Sequence, residues 1–197
     1  MAPPIHPNVL TAARLPLAPA AVAFLVLVGG TSGVLAAAVL ALVLEITDLA
    51  DGWIARRYGV VSDFGKLFDP FSDAFSRFTL FMGVYAIGHA SLWMVLAIYY
   101  RDSTVAFIRS IAATRHVVVA ARPSGKLKAV VQGVGTQVVF LALVLHETLP
   151  EHAGLLSAVP WWTMLVITLV TLASLVDYLA GNLDILRGAW LDDRKAS

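Results

Sequence analysis

The residues of this chain best suited to chemistry are four aspartates in two pairs, Asp48 with Asp51 and Asp69 with Asp73, set in stretches that are otherwise largely apolar. On a helix Asp48, Asp51, Gly52 and Ala55 recur at i, i+3, i+4 and i+7 and share one face, while Asp69 and Asp73 are i, i+4 neighbours on the next helix. Only a short connection separates the two segments, so the helices must be antiparallel, with both acidic pairs at the same end. Four ionised carboxylates this close in a poorly solvated place repel one another unless protons or cations neutralise them. An all-oxygen ligand set favours hard divalent ions, Mg²⁺ or Mn²⁺, over zinc or copper. Two such ions bridged by carboxylates form a clamp for in-line displacement at phosphorus. Gly52 and Ala55 leave the acidic face open to a bulky phosphate-bearing group, and Arg56 can pair with its oxygens. The bland alternative is that these are helix-end charges paired with Arg56 and Arg57. One aspartate would fit it well, but four on two facing stripes do not, since intramembrane carboxylates are functional by default.

The elements that hold these residues are membrane helices. The chain has 197 residues, 59% of them hydrophobic and only 14% charged, whereas a soluble domain carries roughly a quarter charged residues. Its mean hydropathy is +0.81. There is no cysteine, which removes disulfides, thiolate metal sites and a thiol nucleophile. The net charge of +1 says little by itself; no nucleic-acid partner is expected. Six apolar stretches, near 9–27, 34–55, 67–87, 91–113, 130–145 and 161–179, have about the length that crosses a bilayer core. In lipid they must be helical to satisfy their backbones. The fifth is short and is expected to extend back through Lys126. We expect no cleavable signal peptide and a single all-α domain over 1–197.

Connections near 29–33, 88–90 and 146–160 hold no Lys or Arg, while Arg14, Arg56, Arg57, Lys66, Arg109, Arg115, Arg122, Lys126, Lys128, Arg187, Arg194 and Lys195 gather on the other side. The positive-inside rule then puts both termini, and the aspartates, in the cytoplasm. Trp161 and Trp162 fit an aromatic belt at the outer face. The histidines (His6, His89, His116, His146, His152) form no ligand spacing and read as interfacial.

The pattern Asp48-x2-Asp51-Gly52-x2-Ala55-Arg56-x8-Gly65-x3-Asp69-x3-Asp73 resembles the full signature of the CDP-alcohol phosphotransferases. That resemblance implies a six-helix, commonly dimeric membrane enzyme. It would move a substituted phosphate from a CDP-linked donor to an alcohol and release CMP. It further implies that Asp48, Asp51 and Asp69 hold two metal ions. Asp73 would also contact metal and act as the base, and Gly52, Ala55, Arg56 and Gly65 would line the CDP site.

The similarity continues in Pro7-Asn8-Val9-Leu10-Thr11-Ala12-Ala13-Arg14, in Arg101-Asp102-x6-Arg109-x2-Ala112-Ala113, and in Gly125-Lys126-Leu127-Lys128-x3-Gln132. These stretches look like the bacterial branch of the family that uses CDP-diacylglycerol and glycerol 3-phosphate. By that likeness the enzyme would sit in a bacterial inner membrane, with its site facing the cytoplasm and lipid tails in the bilayer. Asp102 and Ala129 depart from that branch, which usually has Glu and Thr there.

The residues point to an anionic acceptor on their own account. Arg101, Arg109 and Arg115 fall within an arc of roughly 120° on the fourth helix, with Lys126 and Lys128 opening the next. Arg109, Arg115, Lys126 and Lys128 are therefore expected at the acceptor phosphate; the alternative is that they set topology or touch anionic lipid. Arg77 and Arg101 lie deeper and need partners, for which Glu45, Asp102 and Asp73 are candidates. Glu45 itself reads either as a support behind Asp48 or as an ion-pair member, and Asp177 as structural. Inositol phosphate, inositol or serine is the alternative acceptor. More distant readings are an intramembrane prenyltransferase, whose two motifs would lie far apart in the chain, and an ion transporter, which has no need of Gly52-x2-Ala55-Arg56.

Overall fold

Glycine, serine and proline punctuate the chain where its helices begin and end. The computed structural model describes residues 7–60, 62–115, 117 and 122–196, and among them there is no strand. Helix α1 (Pro7–Ala23) runs into a π turn, Phe24–Val28, before α2 (Gly30–Tyr58). Gly59 stops α2 in the left-handed region at φ 64°, where its N–H donates to the Ala55 carbonyl. Three residues on, the Ser62 side chain accepts the Gly65 N–H at 3.0 Å and starts α3 (Asp63–Ala86). Then come α4 (Leu92–Thr114) and α5 (Pro123–Thr148), the latter with proline in its first turn. A 3₁₀ turn, Pro150–His152, leads to short α6 (Ala153–Leu156), α7 (Val159–Ala180) and α8 (Leu183–Ala196).

The fifth expected span does reach back past Lys126, to Pro123, and the second ends three residues later than expected, at Tyr58. By length and composition four segments can cross a membrane: Pro7–Val28, Gly30–Tyr58, Pro123–Thr148 and Pro150–Ala180. Helices α3 and α4, though 24 and 23 residues long, fall outside that set, because α3 carries Lys66, Asp69, Asp73 and Arg77 and α4 carries Arg101, Asp102 and Arg109. Helix α8 was not among the expected elements; its Leu186 packs with Val105, Ile108, Tyr178 and Leu179 against the end of α4.

The packing explains how the acidic pairs are held. Helix α1 lies against both α2 and α3, which hardly touch each other directly, and α5 packs on α2 and α7. The core is built from Ala18, Ala37, Phe81, Met94, Phe140 and Ile167 and their neighbours. Small residues on α1 and α2 allow the close approach, while the outer surface keeps Leu27, Leu67 and Leu155 about four-fifths exposed. That inversion suits a lipid surrounding.

Candidate active site

Helix α2 is long enough that Asp48 lies roughly 27 Å from its first residue at 1.5 Å per residue, which places the acidic pairs at the far end of the span. Asp51 is buried, and Asp48, Asp69 and Asp73 are half-buried. The polar residues that meet them come from α1. Arg14, only 1% exposed, donates from Nη1 to Asp48 Oδ1 at 2.5 Å and from Nη2 to Asp51 Oδ2 at 2.7 Å. Thr11, one turn earlier, puts Oγ1 3.0 Å from Asp51 Oδ2 and 2.9 Å from Asp69 Oδ1. Its single proton can serve only one of them at a time. Ser72 Oγ donates to the Thr11 carbonyl at 2.9 Å and ties α1 to α3 at this level.

Helix α3 supplies the other cation. Arg77 Nε donates to Asp73 Oδ1 at 2.8 Å, and its Nη2 lies 3.6 Å from Glu45 Oε2 and 4.0 Å from Asp48 Oδ2. The carboxylates are thus strung in a chain: Asp69, Thr11, Asp51, Arg14, Asp48, Arg77, Asp73. A small cleft opens among Arg14, Glu45, Asp48, Asp73, Arg77 and Thr136.

Charge decides what this arrangement can take. Glu45, Asp48, Asp51 and Asp73 face the two guanidinium groups of Arg14 and Arg77, and Asp69 joins them through Thr11, so with all five carboxylates ionised the partly buried cluster keeps three negative charges. Its donors are carboxylate and hydroxyl oxygens, and it fits hard divalent cations in charge and chemistry. Among the described residues no three acidic or imidazole groups close on one point, because Arg14 and Thr11 lie between the aspartates.

Other expected site residues are placed as follows. The Arg56 guanidinium lies over Gly52, where an added Cβ would meet Nη1 at 3.4 Å. Gly65 is buried beside Asn8 of α1, and Ala55 is half-buried on the aspartate face. The four basic residues expected at the acceptor phosphate differ in burial and in what they touch. Lys128 is buried, with Nζ 2.9 and 3.0 Å from the Asp102 oxygens; Arg109 and Lys126 are exposed; Arg115 is half-buried against Gly188 of α8. Arg101 finds the expected partner, Asp102, at 2.7 Å, and also Ser174 at 2.8 Å. Asp177 accepts two bonds from Arg122, at 2.8 and 2.7 Å, and one from Ser124. Of the histidines, His6 and His116 lie outside the described residues, and the His89 and His146 rings sit 6.3 Å apart at the opposite end.

Thr11 and Arg14 were not assigned to the site from the sequence. Their signal is slight: a hydroxyl and a guanidinium at i, i+3 on the first apolar helix, where a lone arginine also reads as a topology charge.

The CDP-alcohol phosphatidyltransferase family model matches residues 4–173. The chain is 37% identical over 94 residues to the CDP-diacylglycerol–glycerol-3-phosphate 3-phosphatidyltransferase of Treponema pallidum, covering 48% of this chain and 44% of that protein. It is 34% identical over 113 residues to the Bacillus subtilis protein of the same name, covering 57% and 56%. The alignments thus span about half the length of these two relatives. With a probable phosphatidylglycerophosphate synthase of Mycobacterium tuberculosis it shares 32% identity over 184 residues, 92% of this chain and 83% of the other.

Proposed function

Because the chain belongs to the CDP-alcohol phosphatidyltransferase family, we propose that it transfers the phosphatidyl group of CDP-diacylglycerol to glycerol 3-phosphate, giving phosphatidylglycerophosphate and CMP. The observation that carries this reading is the convergence of two acidic helix faces, with surplus negative charge, beside a cleft at one end of the bundle. The choice of acceptor is supported by the names of the relatives.

In this reading Asp48, Asp51, Asp69 and Asp73 hold two Mg²⁺ or Mn²⁺ ions, which when bound supply charge neutralisation and polarisation of the pyrophosphate. Gly52 and Ala55 let the CDP head lie close to α2, with Arg56 at the open side of Gly52 to meet phosphate oxygens. Asp73 is the base. Its Oδ1 is held by Arg77, and its other oxygen takes the proton of the acceptor hydroxyl as that oxygen attacks the phosphatidyl phosphorus. The bond from phosphorus to the CMP oxygen breaks, and CMP leaves with that electron pair. Six spans with both termini in the cytoplasm follow if α3 and α4 cross with the other four. A homodimer in a bacterial inner membrane, with lipid tails in the bilayer, accords with the family.

The test is CMP release by purified protein given CDP-diacylglycerol, Mg²⁺ and separate acceptors: glycerol 3-phosphate, inositol phosphate, inositol and serine. Glycerol 3-phosphate should give the highest kcat/KM by at least about tenfold, an advantage of the size one charge-assisted contact supplies. A preference for serine or inositol would reject this acceptor and leave the family chemistry intact.

A further inference from the structure

Arg77 sits one helical turn beyond Asp73 and is 6% exposed. Burying a guanidinium is costly unless its donors are matched, yet Nη1 has no hydrogen-bond partner. The rest of the group is fully committed: Nε bonds Asp73 Oδ1 at 2.8 Å and Nη2 lies 3.6 Å from Glu45 Oε2. With a hydrogen bond at Nε and an ion pair at Nη2, the planar guanidinium is held in one orientation and restrains the Asp73 carboxylate it bonds.

Glu45 is fixed in its turn from a third helix. Gly133 of α5 packs against the Glu45 carboxylate so closely that a Cβ there would collide with Oε1. Support therefore runs from the α5 backbone through Glu45 of α2 to Arg77 and Asp73 of α3. Stability alone gives little reason for a buried charge here, since an apolar residue of similar volume at Arg77 would spare the desolvation of a charge.

We propose that Arg77 and Glu45 are positioning residues, which hold the Asp73 carboxylate by one oxygen so that the other faces the acceptor hydroxyl. Arg77 pins Oδ1, Glu45 sets the plane of the guanidinium, and Gly133 leaves Glu45 room. The inference rests on Asp73 being the base. It assigns no substrate contact to Arg77 or Glu45.

The test uses the full chain in mixed micelles with CDP-diacylglycerol, Mn²⁺ and glycerol 3-phosphate, comparing Arg77→Gln, Arg77→Lys, Glu45→Gln, Gly133→Ala and the Arg77→Gln/Glu45→Gln pair with the parent and Asp73→Asn. Steady-state kinetics give kcat and KM, and calorimetry gives the affinities for Mn²⁺ and for CDP. A misplaced base lowers kcat, so Arg77→Gln should lose about 10- to 100-fold in kcat, with Mn²⁺ affinity no lower than the parent's, since a competing positive charge is removed, and CDP affinity within about twofold. Arg77→Lys keeps the charge without the fork and should recover only part of the loss. Glu45→Gln and Gly133→Ala should fall between, and the double variant should be no slower than Arg77→Gln, because Glu45 acts through Arg77.

Parental kcat in Arg77→Gln, with Asp73→Asn inactive, overturns the positioning role and leaves the base in place. Full recovery by Arg77→Lys reduces the role to bulk charge and overturns it as well. So do Mn²⁺ and CDP affinities that fall as far as kcat, the mark of structural damage. If Arg77→Gln does not fold, parental kcat in both Glu45→Gln and Gly133→Ala overturns the proposal. Turnover in Asp73→Asn removes the base, and the inference falls with it.

Discussion

Arg14 is shared between Asp48 and Asp51 at 2.5 and 2.7 Å while almost wholly buried, so it competes with any cation for the same oxygens. Removing one partner of a buried ion pair costs about 3–5 kcal/mol, and a bound divalent ion would restore the lost positive charge. Arg14→Gln should therefore melt lower than the parent in EDTA and gain more from added Mn²⁺. Its Mn²⁺ affinity without nucleotide should be higher, read by calorimetry. Weaker Mn²⁺ binding in Arg14→Gln would mean that the guanidinium organises the carboxylates rather than competing for them. At this scale the sequence shows the aspartates plainly, because two acidic pairs at helical spacing have few other uses inside apolar segments. It shows the basic residues poorly: Lys128 and Arg109 look alike on paper, yet one is buried beside Asp102 and the other exposed. A positive charge at a membrane boundary carries the same signal whether it meets substrate, lipid or a carboxylate.

Helix α2 presents its acidic face through two small residues, and that choice opposes its own stability. Gly52 lies within a helix, where alanine is favoured by about 0.5–1 kcal/mol. A Cβ there would meet Arg56 Nη1 at 3.4 Å, an ordinary contact. Gly52→Ala should therefore leave melting unchanged or raise it, while lowering CDP affinity about tenfold or more if the donor lies on this face. Equal CDP affinity in a folded Gly52→Ala would move the donor elsewhere. The helices themselves are legible from hydropathy and their ends from Gly59, Ser62 and Pro123, where turn chemistry and capping act locally. Helix α8 was not read, since Leu183 to Ala196 mixes apolar and charged residues without the length of a span, and its partners on α4 are distant in sequence. The bracing of α2 and α3 by α1 is equally tertiary; periodicity shows that α1 has apolar faces, not which neighbours fill them.

The whole molecule has a sidedness that its lack of cysteine makes easy to test. Gly154→Cys and Val117→Cys, both at exposed positions at opposite ends of the bundle, should behave oppositely in intact cells. An impermeant maleimide should label the first at once and the second only after permeabilisation. The reverse pattern would put the aspartates outside. Charge asymmetry between alternate connections is what predicts this orientation from the sequence, whereas the depth at which α3 and α4 lie depends on how their charged residues pair, which only packing reveals. The central claim is that the four aspartates carry a metal-dependent phosphatidyl transfer, with Asp48 on the binding side and Asp73 on the chemical side. The measurement that bears on it most directly is CMP release from CDP-diacylglycerol and glycerol 3-phosphate, taken together with CDP affinity, for the parent, Asp48→Asn and Asp73→Asn in Mg²⁺ and in EDTA. Turnover is expected in the parent only with Mg²⁺, with metal-dependent CDP binding lost in Asp48→Asn and CDP binding retained without turnover in Asp73→Asn. Parental turnover in EDTA, or in Asp73→Asn with Mg²⁺, would contradict the claim.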